Sequence, residues 1–147
     1  MADQTQGSIV IDADPAVVMA EIADYASYPE WSSEVKKVEI RETGADGRGS
    51  TVYFEVASGP LKADYVLAYT YKPGDAGVSW SFVEGHNLRN MEGEYILESD
   101  GPGRTNVTYK LKVDTPVPMM GFMKRQVEKK IVDVALKGLK KRVESRS

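Results

Sequence analysis

The side chains in this sequence that could take part in chemistry are mainly tyrosines, placed at alternating positions of predicted strands. Tyr65 and Tyr69 fall on one face of one strand, and Tyr95 and Tyr109 fall on the corresponding faces of two later strands. Buried tyrosine hydroxyls need hydrogen-bond partners, so a cluster of them favours a pocket that is partly apolar and partly polar. The pattern favours a pocket for a bound molecule, and complete packing of the interior by the same residues is the alternative.

The composition excludes several kinds of reactive site. The chain has no cysteine, and therefore no disulfide, thiolate metal site or cysteine nucleophile. Its single histidine, His86, excludes a metal site built on several histidines, and we expect it to be exposed because it sits in a turn beside Gly85. No nucleophile elbow, phosphate-binding loop or pair of carboxylates stands out. We therefore assign no catalytic residue and predict neither a metal nor a cofactor.

Arg89 is the one basic residue that the strand pattern directs toward the interior. It shares the parity of Met91 and Tyr95 at the start of its strand. An inward arginine could hold a carboxylate, a phosphate or a phenolate through two parallel hydrogen bonds. A salt bridge at the rim of the sheet explains the same position equally well, and the sequence leaves both open.

The elements that must position these residues begin with a short strand followed by a helix. Asp14 is a suitable N-cap, whose carboxylate could accept from the first free amides, and Pro15 falls at the first helical position. A second short helix carries Tyr28 and Trp31, although Pro29 disfavours helical dihedral angles at Tyr28.

Six further strands and a long helix complete the prediction. Alternating apolar residues and turn signals place strands near 35–43, 51–56, 61–71, 78–82, 88–98 and 105–115. With the first strand they predict a curved antiparallel sheet of about seven strands. From about residue 115 to 142, apolar residues recur every three or four positions, which predicts an amphipathic helix lying on the dry face of the sheet.

The end of the chain is basic, although the whole chain has a net charge of −3. Residues 124–147 contain nine lysines or arginines against three acidic residues. Such a helix allows peripheral membrane contact through anionic lipid. A solvated outer face is the interpretation we favour, and we expect no nucleic-acid partner.

Several of these segments resemble the START-like (SRPBCC) superfamily, in particular its small bacterial polyketide cyclase/dehydrase and lipid-transport proteins. The resemblance lies in residues 9–19, 28–31, 78–80, 93–95 and 124–142, and it extends over the whole chain. It implies an α+β helix-grip fold, in which the sheet wraps around the C-terminal helix and encloses a hydrophobic tunnel. It also implies a single domain over residues 1–147. No family motif residue matches well enough to carry over a catalytic role.

The predicted cavity combines the inward side chains of the strands with the first turns of the long helix. Its wall is predicted to contain Phe54, Tyr65, Leu67, Tyr69, Trp80, Phe82, Arg89, Met91, Tyr95, Tyr109, Met120, Met123 and Val127. Tyr28 and Trp31 are predicted to gate its mouth, although anchoring a helix to the sheet is the commoner role for such a tryptophan. The same residues could also fill the interior completely.

Three functions remain open from sequence. The first, which we favour, is a carrier or sensor for a hydrophobic small molecule such as a lipid, a quinone or a polyketide-like aromatic compound. The second is a polyketide cyclase or dehydratase that shapes a poly-β-keto chain in the same cavity, with tyrosine or arginine stabilising an enolate. The third is an interaction module that docks through the basic helix.

The expected location is the cytoplasm. The first residues have neither the basic nor the apolar segment of a secretory signal, and no apolar run approaches the ~20 residues of a membrane span. The sequence predicts no oligomeric state.

Overall fold

A computed structural model of the chain describes residues 5–45, 47–58, 61–114 and 121–145, with residues 58, 61 and 121–124 described by backbone only. Three α-helices lie in this part: α1 (Pro15–Ile22), α2 (Tyr28–Trp31) and α3 (Gly121–Ser145). The strands are β1 (Thr5–Ile11), β2 (Val35–Thr43), β3 (Gly49–Ser58), β4 (Leu61–Tyr71), β5 (Gly77–His86), β6 (Asn90–Ser99) and β7 (Thr105–Asp114).

The seven strands form one antiparallel sheet in the order β1-β7-β6-β5-β4-β3-β2. Strands β2 to β6 each pair with the next strand along the chain, because only short connections separate them. Strand β1 pairs with β7, from Thr5 opposite Leu111 to Ile11 opposite Thr105. The α+β helix-grip fold with two short helices after the first strand is confirmed.

The sheet is incomplete between β5 and β6. These strands pair only from Gly77 opposite Ile96 to Trp80 opposite Gly93, whereas β6 and β7 pair along their whole length. On its other side, β5 changes register against β4 between Val66 and Leu67, where a bulge occurs. The end of β5 therefore diverges from β6, next to the turn that leads into β6.

Helix α1 begins where the sequence predicts, but its cap differs from the prediction. Asp14 occupies the N-cap position with extended dihedral angles, yet its side chain makes no hydrogen bond to the helix. Instead its Oδ1 accepts from the backbone N–H of Gly103 at 3.0 Å. The expected capping bond is wrong because the loop before β7 offers a competing donor, a contact between residues distant in sequence.

The predicted effect of Pro29 on Tyr28 is also wrong. Tyr28 is helical, with φ −53° and ψ −42°, and its carbonyl accepts from the Ser32 N–H at 2.8 Å. The Tyr28 hydroxyl donates to the carbonyl of Ile22, and its ring lies 5.0 Å from that of Trp31. These contacts outweigh the local steric preference against a helical residue before proline.

Helix α3 carries two apolar stripes that face different surroundings. Val132, Leu136 and Leu139 are buried in the core, whereas Val127 and Ile131 face a cavity described below. The helix packs mainly on β1 and β7, at one side of the sheet. Residues 115–120, where the sequence predicts the start of this helix, lie outside the described residues. Within the described residues, no helix is both long and apolar enough to cross a bilayer.

A buried glutamate attaches α3 to the sheet. Glu128 is only 1% exposed, and its Oε1 accepts from the Thr5 hydroxyl at 2.8 Å. Its Oε2 accepts from the backbone N–H of Val113 at 2.7 Å. Both carboxylate oxygens thus bind donors on neighbouring strands, which offsets the cost of burying a charge.

Candidate functional site

A cavity of about 180 Å³ lies between the concave face of the sheet and α3, with α2 at one end. Nine side chains of the predicted wall line it: Phe54, Tyr65, Leu67, Tyr69, Trp80, Met91, Tyr95, Tyr109 and Val127. The two predicted gate residues, Tyr28 and Trp31, line it as well. Alternation along the strands brings these residues together, because every second side chain of a strand points to the same face.

Four members of the predicted wall are not part of the described lining. Phe82 packs against the core cluster without reaching the cavity. Arg89 is exposed, so its predicted inward orientation is wrong. It precedes β6, where its N–H donates to the carbonyl of Asp114 at 2.7 Å, and strand parity does not hold before the strand begins. Met120 lies outside the described residues, as does the side chain of Met123.

The sequence-based prediction missed several lining residues. Val56, Ala63 and Val113 share the strand faces of Phe54, Tyr65 and Tyr109, so parity alone could have found them. Others lie in connecting segments and have no periodic signal: Ser32, Glu34, Asn87 and Leu88.

Aromatic rings form most of the inner wall in one continuous series of contacts. The rings of Tyr95 and Tyr109 lie 4.6 Å apart, and the Trp80 ring lies 5.6 Å and 5.5 Å from them. Tyr69 continues the series at 5.8 Å from Trp80. Tilted and edge-to-face arrangements of this kind are favourable, so these contacts stabilise the wall.

Gly93 makes room for this wall. It lies opposite Trp80, and a Cβ there would sit 2.8 Å from Cζ2 of the Trp80 ring and 2.3 Å from the carbonyl oxygen of Lys110. Only glycine permits the indole to cross the neighbouring strand at this distance. The glycine at position 93, two residues before the wall residue Tyr95, is therefore required for steric reasons.

The tyrosines near the cavity fall into two groups by hydrogen bonding. The Tyr71 hydroxyl donates to the carbonyl of Gly49 at 2.6 Å and accepts from the Tyr25 hydroxyl at 2.7 Å. By contrast, the hydroxyls of four cavity tyrosines have no hydrogen-bond partner within the described residues: Tyr65, Tyr69, Tyr95 and Tyr109. The buried indole N–H groups of Trp31 and Trp80 are likewise unpaired there.

Burial determines the protonation of these phenols. Loss of hydration raises the pKa of Tyr65, Tyr69, Tyr95 and Tyr109 above the usual value of 10.0. For Tyr65 the negative charge of Glu34 raises the pKa further. All four remain neutral at physiological pH, so they can donate and accept hydrogen bonds but cannot serve as bases.

The mouth of the cavity lies between α2, α3 and the turn after β5. Its rim includes Ser32, Glu34 and Asn87, with Val134 of α3 38% exposed. The Trp31 ring closes one side and packs on α3 at Gly138, where a Cβ would lie 3.2 Å from Cε3 of the indole. The mouth is thus partly apolar and open to solvent.

Ion pairs hold α2 against α3 beside this mouth. The Arg142 guanidinium lies 3.1 Å from Glu30 of α2 and 3.5 Å from Glu21 of α1. The side chains of Arg142 and Glu21 are 14% and 12% exposed, so their mutual attraction is less screened than that of a surface pair. The position of Trp31 therefore depends on both packing and charge.

Among the residues that the structure describes, the polar side chains outside the cavity form no recognisable catalytic or metal centre. His86 is exposed as predicted, and its Nδ1 lies 2.6 Å from Oδ1 of Asp64. A groove on the sheet surface includes this pair together with Lys36 and Lys62. Within the described part of the chain, no group of three or more acidic or histidine side chains could hold a metal ion.

Comparison with known proteins identifies the family. Residues 3–144 match the model of the family described as "Polyketide cyclase / dehydrase and lipid transport". The chain belongs to this family. The resemblance seen in the sequence is confirmed, and no curated protein matches the chain significantly.

Solved structures show that the fold of this family member is the START fold. A START superfamily protein from Mycobacterium smegmatis has a TM-score of 0.91 at 21% identity, with 98% of this chain and 99% of that chain covered. The Zhui aromatase/cyclase from Streptomyces sp. R1128 has a TM-score of 0.82 at 16% identity, covering 99% and 96%. TTHA0849 from Thermus thermophilus has a TM-score of 0.81 at 18% identity, covering 99% of each chain. Family and fold together make this a ligand-binding protein of the START and polyketide cyclase type.

Proposed function

We propose that this family member binds a hydrophobic small molecule in the cavity between the sheet and α3 and acts as its carrier or sensor. A lipid, a quinone or a polyketide-like aromatic compound is the expected ligand class. The observation that carries the proposal is the cavity of about 180 Å³, walled by stacked aromatic rings and reached through a partly apolar mouth. Such a concave apolar site with a few polar groups is typical of small-molecule binding.

The first test is to look for the ligand in the purified protein. Native mass spectrometry should detect a bound small molecule, and solvent extraction followed by mass spectrometry should identify an amphiphile. A hydrophobic fluorescent dye should bind to protein from which the ligand has been removed. If the protein is empty and neither dyes nor lipids bind, the proposal is wrong.

Two substitutions in the same strand make the test specific to the cavity. Ala63 of β4 lines the cavity, whereas Ala68 lies on the opposite face of that strand. Ala63→Phe should fill the cavity and weaken dye binding by about tenfold or more, equivalent to ~1.4 kcal/mol. Ala68→Phe adds the same ring on the outer face and should leave dye binding unchanged. Equal binding by both variants would place the ligand elsewhere.

A cyclase is the second candidate, and one feature of the cavity supports it. Glu34 is a carboxylate at the mouth whose charge acts on the neutral phenol of Tyr65. A carboxylate that removes a proton and a phenol that stabilises the resulting enolate would together promote cyclisation of a poly-β-keto chain. If a poly-β-keto thioester is converted, Glu34→Gln should abolish turnover but retain substrate binding. If the wild-type protein does not convert this substrate, the cyclase is excluded and only the carrier proposal remains.

The proposal includes membrane contact for ligand exchange. Lys130, Lys137 and Lys141 of α3 are exposed, and none forms a salt bridge with another described residue. They recur at helical spacing close to the exposed Val134 at the cavity mouth, so an anionic lipid surface would complement them. The protein should sediment with vesicles containing phosphatidylserine but not with purely phosphatidylcholine vesicles. Replacing the three lysines with glutamine should abolish that difference.

A further inference from the structure

The described lining of the cavity contains a negatively charged side chain but no positively charged one. Among its described lining residues, Glu34 is the only one with a charged side chain. The remaining polar members are the tyrosines, the tryptophans, Ser32 and Asn87, all neutral. No described lining residue therefore offers a positive charge to an anionic ligand.

The position of Glu34 makes the cavity unfavourable for anions. Its carboxylate makes no hydrogen bond or ion pair with another described residue, so no described cation neutralises it. Burial makes the largest contribution to the raised pKa of the Tyr65 hydroxyl, and the negative charge of Glu34 raises that pKa further. An anion in the cavity would lose its hydration and also be repelled by Glu34.

The inner wall nevertheless requires hydrogen-bonding groups from a ligand. The hydroxyls of Tyr95 and Tyr109 belong to residues that line the cavity, and they have no hydrogen-bond partner within the described residues. The Trp80 indole N–H is also unpaired there, but it is fully buried and a ligand does not reach it unless the ring moves. A polar group left unpaired away from water destabilises the protein, so a ligand oxygen that accepts from the tyrosine hydroxyls would be favoured over a hydrocarbon.

The volume limits the part of the ligand that these groups can enclose. The cavity of about 180 Å³ is close to the roughly 150 Å³ of an engineered apolar cavity known to hold benzene. One ring with a small substituent fits this space. A longer chain or a further ring would extend through the mouth beside Val134.

We infer that the cavity selects an uncharged, ring-sized group bearing a hydrogen-bond-accepting oxygen, such as an aryl ketone, a quinone or a phenol, and rejects a carboxylate or phosphate of the same shape. This inference rests on the proposed function, because it assumes that the cavity binds a small molecule. It narrows that function to neutral oxygenated rings, and free fatty acids and phosphorylated head groups are excluded from the inner wall.

Three probes of matched shape test the inference. Acetophenone has a ring and a carbonyl oxygen, α-methylstyrene replaces that oxygen with a CH₂ group, and benzoate is the corresponding anion. Isothermal titration calorimetry should give the tightest binding for acetophenone, about tenfold weaker binding for α-methylstyrene and still weaker binding for benzoate. With two tryptophans in the chain, the ¹H–¹⁵N spectrum has only two indole signals, and Trp80→Phe assigns them. Because Trp80 lines the cavity, a probe that binds there should shift the Trp80 signal.

Substitutions distinguish the two parts of the inference. Tyr95→Phe combined with Tyr109→Phe should reduce the preference for acetophenone over α-methylstyrene. Tyr53→Phe is the matched control, because the Tyr53 hydroxyl donates to Glu55 outside the cavity. Glu34→Gln should raise the affinity for benzoate relative to acetophenone by about tenfold. Glu84→Gln removes an exposed charge from β5 and should not change that ratio.

The possible failures have different meanings. If either benzoate or α-methylstyrene binds as tightly as acetophenone, the inferred selectivity is wrong, while the cavity remains a ligand site. If none of the three probes binds and the hydrophobic dye also fails, both the inference and the proposed function are wrong.

Discussion

Replacing Glu128 should show how strongly the fold depends on the attachment of α3 to the sheet. Glu128 is 1% exposed, and it accepts from the Val113 N–H at 2.7 Å and the Thr5 hydroxyl at 2.8 Å. Glu128→Ala removes both acceptors, leaves a buried N–H unpaired and opens a space beside the core. Glu128→Gln keeps a carbonyl oxygen for Val113, and its amide can donate to the Thr5 hydroxyl oxygen instead.

The expected magnitudes follow from these contacts. A hydrogen bond to a charged group contributes about 1.5–3 kcal/mol, so the loss of two bonds should lower the free energy of unfolding by ~3–5 kcal/mol. The glutamine variant should lose about 1 kcal/mol, because it replaces charged hydrogen bonds with neutral ones. Since domains of this kind are stable by only about 5–15 kcal/mol, the alanine variant should be close to unfolding at moderate temperature.

Urea unfolding followed by circular dichroism measures these differences. With a slope of about 2 kcal/mol per molar urea, the alanine variant should shift the midpoint down by ~2 M and the glutamine variant by ~0.5 M. Lys129→Ala, at an exposed position of the same helix, controls for a change in helix propensity. If the Glu128→Ala variant is as stable as this control, the hydrogen bonds of Glu128 do not stabilise the attachment of α3 to the sheet. A glutamine variant as unstable as alanine would show that the charge matters and the hydrogen bonds do not.

Three further predictions concern the wall, the gate and the surface. Gly93→Ala should destabilise the protein by about 3 kcal/mol or more in the same assay, because its Cβ would overlap the Lys110 carbonyl and Trp80; an effect below about 1 kcal/mol would contradict the close approach. Gly138→Val should displace Trp31, shift the tryptophan fluorescence and lower the free energy of unfolding by about 1–3 kcal/mol. Lys137→Val, at the neighbouring exposed position, should not shift the fluorescence. The hydrogen bond with Asp64, and then its negative charge, raise the pKa of His86 above 6.5, and NMR titration of this single imidazole should show that pKa fall in Asp64→Asn. Because the folded-state pKa is raised, any stabilisation by this pair is present below pH 6.5 and is lost as the pH rises through the folded-state value; an unchanged pKa in the variant would mean that the pair does not form in solution.

Much of the architecture follows from periodicity in the sequence. Alternation in the strands and the three- and four-residue repeats of α3 indicate a seven-stranded sheet and a helix with an apolar face. The same parity correctly directs Phe54, Tyr65 and Tyr95 to the concave side. These predictions succeed because side-chain direction along a regular element depends on local backbone geometry alone.

The errors occur where regular geometry ends. Arg89 precedes β6, so the parity of that strand does not apply to it. The Asp14 carboxylate binds Gly103 because tertiary contacts bring a competing donor to it. Glu34 reaches the mouth from a segment between α2 and β2 that has no periodic pattern.

The sequence alone therefore determined the order and type of the elements, the face on which the aromatic residues lie and the family to which the chain belongs. Only the tertiary structure decided that α3 packs over β1 and β7 through Glu128 and leaves a cavity between the helix and the rest of the concave face. Only it decided which hydroxyls near that face find partners and which remain available to a ligand. The physical reason is that an unfilled volume and an unpaired donor depend on distances between residues far apart in the chain, and local periodicity carries no information about those distances.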